Sequence, residues 1–216
     1  MYQIKAAAAV VTVFLLLASC TSAEDVTVTT TAGALVGVER EQVRLFLGIP
    51  YAAPPLRALR WAAPGPVEKW EGVRTAKAFG PWCPQPDNDR REDGSVHSGE
   101  GWTVFQNVPP SGKANEDCLH LNVWTPTGAS AAPVMVFLHG NALGTSFPIY
   151  DGTAFARSGI VFVSVGFRLL SIGNFAHPAI TAASGSDTAL GRYTELDQLA
   201  ALRWVQENIA AFGGDP

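Results

Sequence analysis

The 216-residue chain carries a net charge of −4, with 47% hydrophobic and 16% charged residues. So much apolar side chain excludes an acidic disordered tail, and 21 glycines without a period exclude a collagen-like fibre. A sequence pI near 5.5 lacks the basic excess with which proteins grip phosphate backbones, so no nucleic-acid partner is expected.

Residues 1–19 read as a signal peptide of the lipoprotein type. Lys5 gives a positive start, and Ala6 to Ala18 is an apolar run too short to cross a bilayer and suited to a signal core. Leu17-Ala18-Ser19-Cys20 resembles the bacterial lipobox, in which Cys20 would take a diacylglycerol; ordinary cleavage nearby, for instance after Ala23, is the alternative. Either cut predicts an exported body: residues 20–216 lipid-anchored through Cys20, meeting a membrane only through that anchor, or, with ordinary cleavage, a periplasmic or extracellular protein. An oxidising compartment would let the two remaining cysteines, Cys83 and Cys118, form a disulfide, with two unrelated buried thiols as the alternative.

Val26 to Thr31 and Ala34 to Glu39, separated by Ala32-Gly33, predict a hairpin, and Val43 to Ile49 a third short antiparallel strand. Prolines crowd residues 50–117, which excludes long helices and central strands there. The acidic stretch Asp87 to Glu92 fails the alternating ligand spacing of a calcium loop. Cys118 to Trp124 alternates as a strand. Val134 to Leu138, ending in His139-Gly140, and Ile160 to Val165 are continuous apolar runs that predict strands buried on both faces. The short helical stretch Thr153 to Ser158 lies between them, so the pair is expected to run parallel.

A helix is predicted from Thr194 as N-cap, with Glu195 and Asp197 in its first turn and Gly213-Gly214-Asp215-Pro216 stopping it. Its apolar residues Leu196, Leu199, Leu202, Trp204, Val205 and Ile209 do not keep to one stripe, so packing nearly all round is expected, inside a larger body. His97, His120 and His177 stand apart with no zinc spacing, and no metal or cofactor is expected.

Several segments resemble the type-B carboxylesterase and cholinesterase family. Glu116-Asp117-Cys118-Leu119-His120-Leu121-Asn122-Val123-Trp124 is similar to its signature EDCLxLNV. Gly48-Ile49-Pro50-Tyr51-Ala52, Pro54-Pro55, Arg60-Trp61 and Tyr150-Asp151-Gly152 follow its order, as do Asp197-Gln198, Ala201 to Ile209 and Phe212 to Pro216. The resemblance implies an α/β class: a partial α/β-hydrolase fold whose mixed sheet opens with antiparallel N-terminal strands and whose C-terminal half lies beyond Pro216. It implies an exported carboxylic-ester hydrolase with a serine nucleophile, oriented His and backbone oxyanion hole, acting on small-molecule esters when completed.

The family's GxSxG elbow follows the GGDP segment, and no serine here has glycine at both required spacings: Ser130 has Gly128 but Ala132, and Ser146 has Gly144 but Pro148. No residue of this chain is therefore assigned to catalysis, and inactivity of the chain alone is expected. The oxyanion-hole motif HGGG reads His139-Gly140-Asn141-Ala142 here, so Gly140, Asn141 and Ala142 form a degenerate version of it. A packing role suits His139. The resemblance also implies structural ion pairs of Arg60 with Glu116 and of Arg168 with Asp197. It departs at Gly166-Phe167-Arg168, where the family has NYR. A cholinesterase-like binding module without catalysis, or a decayed or truncated gene product, are the alternative readings.

Overall fold

The computed structural model describes residues 23–84, 114–140, 150–184 and 191–216. The signal segment, Cys20, the calcium-like stretch, His97, Asn141 and Ala142 lie outside the described residues.

Alternating Val and Thr build β1 (Glu24–Thr29), which pairs antiparallel with β2 (Ala34–Arg40) across a turn where the Thr30 hydroxyl donates to the Gly33 carbonyl at 2.8 Å. β3 (Val43–Pro50) follows after Glu41-Gln42, a two-residue turn with both φ angles positive. The Pro-rich region supplies only a 3-10 turn (Arg57–Leu59) and the three-residue strand β4 (Val73–Thr75), which lies parallel to the start of β2. β5 (His120–Pro126), β6 (Val134–Leu138) and β7 (Val161–Val165) complete a sheet ordered β1-β2-β3-β5-β7-β6. β5 runs antiparallel to both β3 and β7, and β6 and β7 run parallel, joined by α1 (Thr153–Arg157).

The sheet has a core on each face. On one, Leu35, Phe46, Ile49, Leu121, Val123, Val163 and Val165 pack under α4 (Tyr193–Asn208) and its 3-10 extension (Ile209–Phe212). On the other, Val43, Leu45, Trp124 and Phe162 pack under Ala156 of α1. β3 and β5 are the central strands, β7 lies between β5 and the edge, and all five residues of β7 are buried, as its apolar run predicts. β6 departs from the prediction of burial on both faces. Among the described residues it is an edge strand, with Met135 and Leu138 exposed, because β7 covers one side of its ladder only.

α4 is also packed differently from the prediction. Tyr193, Asp197, Ala201, Trp204, Val205 and Asn208 make one buried stripe, while Leu199 and Leu202 stay exposed at 48% and 41%. The stripe is hidden from an apolar count because it includes an aspartate and an asparagine. The helix begins one residue before Thr194, which is not its N-cap; the Thr194 hydroxyl instead donates to the Arg168 carbonyl at 2.7 Å. Two short helices add to the prediction, α2 (Leu170–Gly173) and α3 (Pro178–Ser184). Pro178 opens α3, and the His177 ring accepts the Ala179 N–H at 3.2 Å.

After the 3-10 turn the chain returns to the sheet. Thr125 donates its hydroxyl to the Phe212 carbonyl at 2.7 Å, the Ala132 N–H reaches the Gly213 carbonyl at 2.9 Å, and the Asp215 N–H reaches the Ala132 carbonyl at 2.9 Å. The Ala132 and Gly214 pairing is parallel.

Candidate functional site

Ligands of α/β sheets collect where parallel strands end. Here the carboxyl ends of β6 and β7 deliver His139-Gly140 and Gly166-Phe167-Arg168 to one end of the sheet. The His139 ring is buried and stacks on Phe167, with centroids 4.4 Å apart and planes 13° apart; Tyr150 faces its ring at 6.3 Å. Gly140, next in the chain, is exposed, and a Cβ there would meet nothing within 4 Å. The strand therefore ends on a locked aromatic stack and then opens to solvent at the first residue of the degenerate oxyanion motif.

Behind that edge lies a buried polar network. The Arg168 side chain is 1% exposed and grips Asp197 with two parallel bonds of 2.8 Å, from Nε to Oδ2 and from Nη2 to Oδ1. Two further donors reach the carbonyls of Arg60 at 2.7 Å and Ala62 at 2.9 Å, and the guanidinium lies over the Tyr193 ring. Burial raises the Asp197 carboxyl above the ordinary aspartate range, and the Arg168 hydrogen bonds and charge pull the other way. The Tyr51 hydroxyl donates to the Gly166 carbonyl at 2.7 Å, and burial, with Asp197 nearby, pushes its pKa well up, so it is a fixed donor. Together these bonds fix the end of β7, the start of α4 and the 60–62 loop to one another.

Asn122, on β5, braces β3 on one side and β7 on the other. Its Oδ1 accepts the Gly48 N–H at 2.8 Å, and its Nδ2 donates to the Ser164 hydroxyl at 3.0 Å. Gly48 sits at the register shift of β3 with φ +72, and the Ala78 carbonyl would be 2.6 Å from any Cβ there, so only glycine fits. Asp151 Oδ1 accepts the Thr153 N–H at the start of α1, and Gly152 leaves room for the Phe162 ring.

The other predicted residues lie apart from this end. Arg60 and Glu116 pair at 2.6 Å on the surface, and this raises the Arg60 pKa. Cys83 and Cys118 are bonded, with Cα atoms 5.0 Å apart. Of the described serines, Ser164 is buried inside β7 and the Ser158 hydroxyl donates to the Ala154 carbonyl. No group of three or more metal-ligating side chains gathers among the described residues. A cleft of about 450 Å³ on the α4 face is lined by the buried Tyr51 and Trp204 together with Lys69 and Arg203, among others. Tyr51 and Asn122 carry roles that reading the residues one by one missed; their presence inside the quoted GIPYA and LNV motifs was the available signal.

Residues 24–216 match the model of the carboxylesterase family. The chain is 41% identical over 192 residues to the fumonisin B1 esterase of Sphingopyxis macrogoltabida, covering 87% of this chain and 32% of that protein. It is 42% identical over 198 residues to human carboxylesterase 3, covering 88% and 32%. Among solved structures it is similar to a PNB esterase, with TM-score 0.72 and 38% identity, covering 88% of this chain and 36% of that one. A Geobacillus stearothermophilus carboxylesterase gives TM-score 0.71 and 37% identity over the same shares. The chain thus spans about a third of the length of the relatives it matches. The fold is that of the α/β-hydrolase esterases, and the chain belongs to the carboxylesterase family.

Proposed function

We propose that residues 20–216 are the N-terminal part of an exported carboxylic-ester hydrolase that uses a serine nucleophile supplied from outside this chain. Family membership together with the meeting of β6 and β7 at His139-Gly140 carries the reading. The backbone that follows His139 is where donors for a developing oxyanion would stand, since the Gly166 and Arg168 N–H groups beyond β7 are bonded to the His120 carbonyl and to Asp197; the His139–Phe167 stack and Arg168–Asp197 network hold that end of the sheet rigid. Small-molecule esters are the substrate class, in keeping with relatives that include fumonisin B1 and cocaine esterases. Residues 1–19 would direct export, with Cys20 lipidated, and the Cys83–Cys118 bridge suits that oxidising destination.

The replacement of HGGG by His139-Gly140-Asn141-Ala142 favours a second reading, a non-catalytic binding member of the family. One measurement tests the inactivity that both readings expect of this chain, and a second separates them. The 216-residue chain alone should hydrolyse p-nitrophenyl acetate no faster than background and take up no fluorophosphonate; stoichiometric serine labelling refutes the proposal. Coding sequence past codon 216 should contain an in-frame GxSxG, and a uninterrupted reading frame lacking it would favour the binding reading.

A further inference from the structure

His120, the first residue of β5, is a buried titratable group that the proposed chemistry leaves idle. Its side chain is 8% exposed. The ring lies against Gly80, so closely that a methyl group there would come within 2.7 Å of Cγ. Gly80 is three residues before Cys83 and His120 is two after Cys118, so the ring fills the gap between the two segments that the disulfide ties together.

The neutral ring fits this gap better than the charged one. Nδ1 is buried and has no hydrogen-bond partner among the described residues. Nε2 stands 3.9 Å from the half-exposed Asp117 carboxylate, beyond hydrogen-bond distance. Arg74 of β4 adds a repelling charge. An imidazolium must satisfy two N–H groups, and here one would have no acceptor and the other only a distant carboxylate.

We propose that His120 is an acid-released latch: once protonated, its ring leaves the gap against Gly80 and loosens the segment from Gly80 to Pro84 from the start of β5, with the Cys83–Cys118 bond still tethering the two. Burial, the largest influence, lowers the His120 pKa, with Asp117 pulling it up and Arg74 pushing it down. A depressed folded value means the closed form is fully favoured above the unfolded histidine value of about 6.5 and loses ground as pH falls below it.

Hydrogen exchange of the full 216-residue chain, its disulfide intact, tests the latch. Protection factors in 78–84 and 117–121 should fall by up to roughly twentyfold between pH 7 and pH 5, the extra protonation open to an imidazole of ordinary pKa. Those of α4 should hold, and His120→Gln should abolish the fall. An equal fall in His120→Gln, or one shared by α4, overturns the proposal. Should that variant fail to fold, the NMR titration of the wild-type His120 ring decides: a midpoint below the ordinary value supports the latch, and an ordinary one overturns it.

Discussion

Arg168 shows how a single residue can join three parts of the chain. Four of its guanidinium N–H groups are bonded, and Asp197 is fully buried beside it. Arg168→Met should therefore cost about 3–5 kcal/mol, read as a lower urea midpoint, because it leaves a carboxylate buried without its counter-charge. Arg168→Lys should recover only part of this, since an ammonium cannot make the two-pronged grip. The residue types of this pair were legible in the sequence through the family pattern. The roles of Tyr51 and Asn122 were not, because both bond to backbone groups far away in the chain, and no spacing of residue types reveals a carbonyl or an N–H. Leu170 was equally hidden: it takes φ +51 just after Arg168, and nothing in the structure explains a leucine there.

At the scale of elements, the strands were legible because their period and branching are local properties. The hairpin, the third strand and the parallel pair joined by a short helix all lie within a residue or two of where the pattern put them. Burial was less legible, since it depends on what packs alongside, as α4 and β6 show. The β2–β3 ladder carries a cross-strand pair, Glu39 and Arg44, at 2.8 Å. The Arg44 hydrogen bond holds the Glu39 pKa below its usual value, against the opposing effect of burial. A lowered folded pKa means that the pair stabilises above the unfolded glutamate value and fades as pH falls through the folded one. Glu39→Gln should thus lower stability by a few tenths of a kcal/mol at pH 7, solvent screening keeping the effect small, and by nothing near pH 2. Thermal melts at the two pH values check this.

At the scale of the molecule, the sheet ends on β1 at one side and on β6 at the other among the described residues. Met135 and Leu138 on β6 are 40% and 38% exposed, and the outer ladder of that strand is unpaired over its length among the described residues. Such an edge invites pairing with another chain. The 216-residue chain should self-associate at tens of micromolar in sedimentation velocity, and Met135→Lys should reduce this; identical profiles would show that another surface is responsible. The site was only partly legible at this scale for a related reason: the chain spans about a third of its relatives, so much of what surrounds their chemistry has no counterpart here to read.

The stitching of Gly213 and Asp215 to Ala132 has a directional consequence. Two bonds from one residue to its neighbour's flanks are the first rungs of a parallel ladder, and they aim the backbone at Pro216 along the flank of β6 that is unpaired among the described residues, toward Gly140. Polypeptide appended there would start out already in step with its neighbour, with little further search for a partner, much as a zip closes once its slider is seated.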